Sequence, residues 1–201
     1  MDKISVIKNY CLTKRQTSLI EVYLGELKNI NKKLNLVGSS TLNQPWDRHI
    51  NDSLQLSIFI SNKKATIIDL GTGAGLPGLI LGICGFNNVL LVDSKMKKIN
   101  FIKDFIKQNK LPIKTMCSRV ENIKNLKFDF IISRAFAPLY KNLHYSLKIS
   151  KKNTSLLFLK GRSVKKEIKD AKKQYNFNYN LFESKSIGGG FVLNINKFNR
   201  I

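Results

Sequence analysis

The sequence predicts an α/β, Rossmann-like fold: a seven-stranded, mostly parallel sheet that ends in an antiparallel hairpin, with an N-terminal helical cap. Three observations support this prediction. Helical periodicity fills the first sixty residues, strands alternate with helices beyond residue 64, and a very short connection joins the last two strands. Repeated strand–helix units favour parallel pairing in a sheet that is covered on both faces. We expect residues 1–63 to pack as a cap on an α/β domain, residues 64–201, in one compact unit.

The cap is predicted to contain two main helices. Thr13 is placed to cap the first, whose apolar residues recur every three or four positions between Leu19 and Leu34. The second is expected to begin near Pro45 and to end near Ile60. Its predicted inner face carries His49 among apolar residues.

Beyond residue 64, short apolar runs alternate with amphipathic stretches. The predicted strands are Thr66–Leu70, Val89–Val92, Ile113–Met116, Phe128–Ile132, Leu156–Leu159, Leu181–Lys185 and Phe191–Ile195. The predicted helices between them are Pro77–Cys84, Lys95–Gln108, Leu139–Ile149 and Ser163–Gln174. Since only Ser186–Gly190 separates the last two strands, they are expected to form a hairpin.

Composition narrows the classes of function. The formal net charge of +22 favours a polyanionic partner such as nucleic acid, although a proteome rich in Lys, Asn and Ile would also produce it. Three widely spaced cysteines form neither a disulfide pattern nor a metal-ligand pair, so we expect reduced thiols and no metal. With no secretory signal and no apolar run that could span a bilayer, the protein is expected to be cytoplasmic and without membrane contact.

The residues from Thr66 to Gly78 form a predicted strand, a glycine turn and the start of a helix. Gly71, Gly73 and Gly75 allow the backbone to turn sharply and to approach a ligand closely. Asp93 ends the next strand about 20 residues later, the spacing expected of a carboxylate that binds ribose hydroxyls. This arrangement predicts a site for a cofactor that contains a nucleoside.

Asp69, at the mouth of this turn, helps to choose among cofactors. Gly73–Gly78 also fits the dinucleotide fingerprint, so a nicotinamide or flavin enzyme is one alternative. A carboxylate would repel a pyrophosphate, whereas it suits the ammonium and sulfonium groups of S-adenosylmethionine. The other alternative is a purely structural turn in which Asp69 caps the helix. The residues favour S-adenosylmethionine.

Several blocks of sequence are distinctive. They are Asn35–Leu36, Trp46–Leu54, Ile68–Gly78, Leu91–Lys95, Ser118–Glu121 with Phe128–Ala137, and Leu159–Gly161. In this order the chain resembles the glucose-inhibited division protein B family, the bacterial guanine-N7 methyltransferases of small-subunit ribosomal RNA. The resemblance implies a class I methyltransferase fold, S-adenosylmethionine as cofactor, and small-subunit ribosomal RNA or a ribosomal particle as partner. We expect the protein to act as a monomer.

The glycine turn and the resemblance together give a set of expected site residues. Those expected to bind the cofactor are Asp69, Gly71, Gly73, Gly75, Leu76, Asp93, Val120, Glu121 and Arg134. Within this set the resemblance implies that Asp93 holds the ribose and that Val120 and Glu121 flank the adenine. Arg134 and Arg119 are the expected catalytic residues. Expected close to the RNA are Arg48, His49 and Lys160.

The segment Ser133–Leu139 agrees with methylation at guanine N7. It lacks the Asn/Asp-Pro-Pro-aromatic motif typical of amino-group methylation, and no cysteine is placed for attack at a pyrimidine carbon. Guanine N7 already has a free lone pair, so alignment is the main task, and Arg134 can donate to guanine O6. The structural alternative for Arg134 is an ion pair with Glu121.

Two further residues leave alternatives open. Lys160 could deprotonate a ribose hydroxyl, although Arg134 occupies the position where the accompanying acid would be expected. His49 is more typical of a buried, hydrogen-bonded residue than of a catalyst. Methylation of a different RNA position, or a non-catalytic RNA-binding protein with the same fold, therefore stays possible.

Overall fold

A seven-stranded sheet organises the chain, and the computed structural model describes residues 1–201. The strands are β1 (Ile67–Leu70), β2 (Val89–Asp93), β3 (Lys114–Cys117), β4 (Phe128–Arg134), β5 (Ser150–Lys160), β6 (Tyr175–Glu183) and β7 (Phe191–Arg200). Their spatial order is β3-β2-β1-β4-β5-β7-β6. Strands β1 to β5 pair in parallel, and β7 pairs antiparallel with both β5 and β6. The predicted fold class is confirmed.

Helices connect the strands and cover the sheet. They are α1 (Lys3–Asn9), α2 (Lys14–Leu34), α3 (Asp52–Leu54), α4 (Gly78–Ile83), α5 (Met96–Gln108), α6 (Leu139–Ile149) and α7 (Val164–Ala171). None of these helices combines the length and the apolar character needed to cross a membrane. Ile67 and Ile68 are adjacent in β1 but belong to two different core clusters, because successive side chains of a strand point to opposite faces. Each face of the sheet therefore has its own core.

The N-terminal residues share the core on one of these faces. Thr13 caps α2 through the predicted hydrogen bond, and Gln16 completes a reciprocal capping box. Tyr23 in α2 is fully buried, and its hydroxyl donates to the carbonyl oxygen of Ala74 at 2.9 Å. This bond ties α2 to the loop that follows β1.

The second N-terminal helix is less regular than the sequence predicts. Instead of one helix to Ile60, a π-helical turn (Trp46–Asn51) runs into α3 and then into a 3-10 turn (Gln55–Phe59). The Ser53 hydroxyl donates to the carbonyl oxygen of His49 at 2.6 Å, and side-chain bonds of this kind compete with the regular helical pattern. The change of pitch fixes which residues of this segment face the sheet.

The C-terminal strands are longer than predicted. Strand β6 begins at Tyr175 rather than Leu181, and Tyr175 pairs with Arg200 at the far end of β7. Tyr175 and Phe177 are buried whereas Asn176 is exposed, which is the alternation of a strand with one buried face. The prediction missed this alternation because asparagine has a low strand propensity.

Candidate active site at the carboxyl ends of the strands

Three adjoining cavities lie at the carboxyl ends of β1 and β4. These strands are neighbours, and the strand order reverses between them, which is where ligands bind in doubly wound sheets. We name them after one lining residue each: the Asp93 cavity of about 440 Å³, the Gly73 cavity of about 400 Å³ and the Lys160 cavity of about 710 Å³. Ala135 lines all three, and Arg134 lines the last two. The end of β4 is therefore the point where the cavities meet.

Two glycines of the loop after β1 border the first two cavities: Gly71 lines both, and Gly73 lines only the cavity named after it. Gly71 and Gly73 have φ angles of +66° and +60°, in the left-handed region that favours glycine. A Cβ atom on Gly71 would overlap the ring of Phe136, whereas one on Gly73 would have only the carbonyl oxygen of Gly71 nearby, at 3.8 Å. Gly71 thus lets the loops after β1 and β4 touch, and Gly73 leaves its cavity open. Leu76 also lines the Gly73 cavity, as predicted.

Asp69 lies beneath this loop and lines none of the three cavities. It is fully buried, and its Oδ2 accepts from the Thr72 hydroxyl at 2.7 Å and from the Gly78 backbone N–H at 2.9 Å. Burial raises the pKa of the Asp69 carboxyl to about 6. The Asp69 carboxylate thus braces the loop and the start of α4, as in the structural alternative in which it caps this helix. Its contact with the cofactor stays a prediction.

Gly75 does not line a cavity either. Its φ angle is +94°, and a Cβ atom there would lie 2.9 Å from the Cβ atom of Leu79 in α4. Gly75 thus lets the helix approach this side of the loop closely, and its contact with the cofactor stays a prediction.

Asp93 is placed as predicted, at the end of β2 in the cavity named after it. Its Oδ2 accepts from the backbone N–H of Gly73 at 3.1 Å, and its Oδ1 from that of Lys95 at 2.9 Å. Val120 and Glu121 line the same cavity, and Glu121 accepts a hydrogen bond from the Tyr145 hydroxyl at 3.0 Å. The structure thus brings together the three residues that were expected around the nucleoside.

Arg119 is not brought next to Arg134. It lines the Asp93 cavity and neither of the two cavities that Arg134 lines. It comes after β3 at one edge of the sheet, and β2 and β1 lie between β3 and β4. A catalytic role of Arg119 stays a prediction.

Arg134 is held by the N-terminal segment. One guanidinium nitrogen, Nη1, lies 3.3 Å from the carbonyl oxygen of Arg48, from Nδ1 of His49 and from Oδ2 of Asp52. The proposed ion pair with Glu121 is wrong, because Asp52 of α3 occupies that position. Burial raises the pKa of the Asp52 carboxyl, and the nearby Arg134 charge opposes this shift.

His49 is buried and neutral. Burial, with a contribution from the charges of Arg134 and Arg48, lowers the pKa of its imidazole to about 3. The neutral Nδ1 accepts from Arg134, so Nε2 carries the hydrogen and donates to the Thr41 hydroxyl at 2.9 Å. His49 is a buried, hydrogen-bonded residue, as the sequence favours, and it lies directly behind Arg134.

Lys160, at the end of β5, forms an ion pair that the sequence did not reveal. Its Nζ donates to Oε2 of Glu167 and to the carbonyl oxygen of Ala137, both at 2.8 Å. Glu167, in the first turn of α7, also accepts from the backbone N–H of Leu139 at 2.9 Å. Only the spacing of seven residues between Lys160 and Glu167, across a predicted strand–helix connection, could have suggested this pair.

The loop between β6 and β7 is bonded to the N-terminal segment and lines two of the three cavities. Asp47, which is almost fully buried, accepts from the Ile187 backbone N–H at 2.8 Å and from the Ser186 hydroxyl at 3.2 Å. Gly188 lines both the Gly73 and the Lys160 cavities. The Arg48 guanidinium lies against Gly188, in the space that a Cβ atom there would need. Arg48 thus also faces the cavities.

Comparisons with known proteins agree with this geometry. Residues 16–188 match the family GidB, described as rRNA small subunit methyltransferase G. Ribosomal RNA small subunit methyltransferase G of Rickettsia prowazekii is 36% identical over 182 residues, which cover 90% of this chain and 94% of that protein. The protein of the same name from Orientia tsutsugamushi is 34% identical over 187 residues, 93% of each chain.

A solved structure supports the fold independently. The crystal structure of a SAM-dependent methyltransferase from Aquifex aeolicus superposes with a TM-score of 0.60. The match covers 78% of this chain and 95% of that one at 18% sequence identity. At this identity the likeness concerns the fold alone.

Proposed function

The chain belongs to the GidB family of rRNA small subunit methyltransferases, and we propose that it transfers a methyl group from S-adenosylmethionine to N7 of a guanine in small-subunit ribosomal RNA. The observation that carries this proposal is the meeting of three cavities at Ala135, next to Arg134, which lines two of them. A site suited to a nucleoside opens there onto a larger cavity lined by Arg48, Arg134 and Lys160. A donor and an acceptor base can meet at this junction.

The Asp93 cavity fits the nucleoside of S-adenosylmethionine. Each Asp93 oxygen accepts one backbone N–H, from Gly73 or from Lys95, so lone pairs stay free for the ribose hydroxyls. Buried Val120 supplies an apolar surface for the adenine. The open space at Gly73 leaves room for the rest of the cofactor. When bound, the cofactor supplies an electrophilic methyl group on a sulfonium.

The family to which the chain belongs favours this cofactor over a dinucleotide. The Gly73 cavity is lined by three cations, Arg48, Lys98 and Arg134, and by one carboxylate, Asp52, which pairs with Arg134 at 3.3 Å. Asp52 is therefore the carboxylate of this cavity that could face the ammonium group of the cofactor.

The residues around the Lys160 cavity suit guanine N7 as the nucleophile. N7 needs no base to remove a proton, and alignment with the methyl group is the main requirement. Arg134 points its guanidinium to the junction, where it donates to acceptors such as guanine O6. Phe136 and Phe191 provide apolar surface for a base that has left its stack. Neutral His49 fixes Arg134 in place rather than moving a proton.

The basic character of the protein supports RNA as the partner. Arg48 and Lys160 lie at the substrate cavity, while Lys95, Lys98 and Arg119 line the Asp93 cavity. These cations can contact phosphates around the flipped base, and such contacts weaken as the salt concentration rises. We place the reaction in the cytoplasm, on the RNA or on an assembled particle.

Mass spectrometry of small-subunit RNA from cells that lack this protein tests the proposal. We expect one N7-methylguanosine to disappear and to return when the wild-type gene is restored. Restoration with an Arg134→Ala gene should leave that position largely unmethylated. Loss of a different methylated nucleoside, or an unchanged methylation pattern, would contradict the proposed substrate.

A further inference from the structure

The Lys160 cavity contains a charged pair that the transfer of the methyl group does not itself require. Lys160 and Glu167 line this cavity but not the Gly73 cavity, so they lie away from the wall at which the two cavities join. Their side chains are only 8% and 21% exposed, so the pair is largely shielded from bulk water. A cation and a carboxylate in this position can select which base enters.

The hydrogen bonds of this pair leave one donor and one acceptor position open. The Lys160 ammonium has three hydrogens, of which the Ala137 carbonyl oxygen and Glu167 take two. Oε2 of Glu167 accepts from Lys160 and from Leu139, whereas Oε1 accepts only from the Ser163 hydroxyl at 3.1 Å. The pair thus presents a free N–H donor next to a carboxylate oxygen, Oε1, with one free lone pair.

This order of donor and acceptor matches the edge of guanine. From N7 around the ring, guanine presents O6 as an acceptor, then N1–H and the N2 amino group as donors. With N7 turned to the junction at Arg134, O6 has two lone pairs and would accept from Lys160 as well as from Arg134, and the N2 amino group would meet the open acceptor position of Glu167. Adenine presents an amino donor in place of O6 and has no amino group at C2, so in the same orientation neither Lys160 nor Glu167 would find its partner.

Building on the proposed function, we infer that Glu167 determines the specificity for guanine by accepting a hydrogen bond from the N2 amino group of the target base, while Lys160 donates to O6. Asp52, the other carboxylate of the Lys160 cavity, is less suited to this role. It also lines the Gly73 cavity and forms an ion pair with Arg134 at 3.3 Å, so it lies at the junction, on the N7 side of the base. Glu167 is the carboxylate of the Lys160 cavity that lies away from this junction.

The inference is tested with small-subunit particles reconstituted from RNA that carries either guanine or inosine at the methylated position. Inosine keeps N7, O6 and N1–H but lacks the N2 amino group. A hydrogen bond to a charged acceptor is worth enough that the wild-type protein should have a kcat/KM about tenfold or more lower on inosine. In Glu167→Gln the amide has only one oxygen acceptor, so the guanine-to-inosine ratio should fall to about threefold or less.

A matched control lies on the same helix. Asp170→Asn makes the same change of charge in α7, but Asp170 pairs with Lys173 at 2.9 Å and lies outside the cavity. This variant should keep the wild-type ratio. If Glu167→Gln does not fold, Glu167→Asp keeps the charge, withdraws the carboxylate by one methylene, and should give an intermediate ratio.

The possible outcomes separate the inference from the function on which it rests. If the wild-type protein methylates both particles equally well, or if Glu167→Gln slows both in proportion, the specificity role is overturned while the methyltransferase activity stands. If the wild-type protein forms no N7-methylguanosine on the guanine particle, the proposed function fails, and the inference fails with it.

Discussion

The two sides of the site are built in different ways. On the Asp93 side, the groups that contact one another come from the loops that follow β1 and β2, as in the bond from Gly73 to Asp93 across 20 residues. On the Arg134 side, the partners lie much further apart in the sequence: His49 is separated from Arg134 by 85 residues, and Asp47 from Ile187 by 140. The hydrogen bonds on the Asp93 side thus join nearby loops, whereas those on the Arg134 side form only when distant parts of the chain have folded together.

This difference determines how each side can fail. A change in the Asp93 side should affect cofactor binding through the loop itself. A change in the Arg134 side should affect methyl transfer, because the N-terminal segment, β4 and the hairpin loop meet there and position the acceptor base. Variants of the two sides should therefore differ in which measurement they alter.

The largest effect is expected from Arg134→Ala. Loss of one well-placed contact to the reacting base lowers the rate of transfer on the order of 100-fold. Cofactor affinity should change much less. The variant also leaves the buried Asp52 carboxylate without its cation, so the melting temperature should fall. Methyl transfer per folded molecule, with cofactor binding measured by calorimetry, checks this prediction.

Arg134→Lys is the matched control. Lysine keeps a positive charge near Asp52 but lacks the planar fork that reaches several acceptors at once. We expect the melting temperature to recover more than the rate of transfer. Wild-type turnover in Arg134→Ala, whatever its stability, would remove Arg134 from the active site.

The second comparison uses two glycines of one loop. Gly71→Ala and Gly73→Ala both force a left-handed alanine, at a cost of about 1 to 2 kcal/mol each. Only at Gly71 does the new Cβ atom overlap Phe136, so Gly71→Ala should lower the melting temperature further. At Gly73 the Cβ atom enters open space in the cavity, so Gly73→Ala should weaken cofactor binding about tenfold or more while the fold survives.

Calorimetry with S-adenosylmethionine and thermal melting of both glycine variants provide the check. Gly73→Val, with a larger side chain, should abolish binding. An unchanged affinity in folded Gly73→Val would show that the cofactor does not use the Gly73 cavity.

The sequence predicted the local side of the site well and the long-range side only in part. Gly71, Gly73 and Asp93 stand at fixed positions relative to the ends of two strands, so their places follow from the strand pattern. The same loop shows the limit of this argument. The sequence left open whether Asp69 faces the cofactor or caps the helix, and in the structure its Oδ2 accepts from Thr72 and from Gly78 at the start of α4.

On the other side, the resemblance gave the right neighbourhood for Arg134 and His49 but not their partners. The π-helical turn decides that His49 and Asp52 both face Arg134, and neither residue type nor spacing predicts such a turn. Glu167 was missed because its contact with Lys160 depends on how α7 returns to the end of β5.

The last prediction concerns the dependence of stability on pH through His49. Its pKa falls from 6.5 unfolded to about 3 in the fold, so the native state resists protonation. This group contributes stability that is present above pH 6.5 and is lost as the pH falls toward 3. Between pH 7 and pH 5 the loss is about 2 kcal/mol of unfolding free energy.

The raised pKa of buried Asp69 acts in the opposite sense, since its stabilising effect is lost as the pH rises through about 6. The difference between wild type and His49→Gln isolates the histidine. Denaturant unfolding of both proteins at pH 7 and pH 5 should show the wild type losing about 2 kcal/mol more than the variant over this interval. Equal losses would mean that His49 is not buried against Arg134.

The most direct test of the account follows the methyl group itself. Purified protein is incubated with S-adenosylmethionine that carries an isotopically labelled methyl group and with small-subunit particles from cells that lack the protein. After nuclease digestion, the label is predicted to appear in N7-methylguanosine from a single RNA position. Label in any other nucleoside, or no label in the RNA although the cofactor binds, would contradict the assignment of the Lys160 cavity as the place where guanine N7 is methylated.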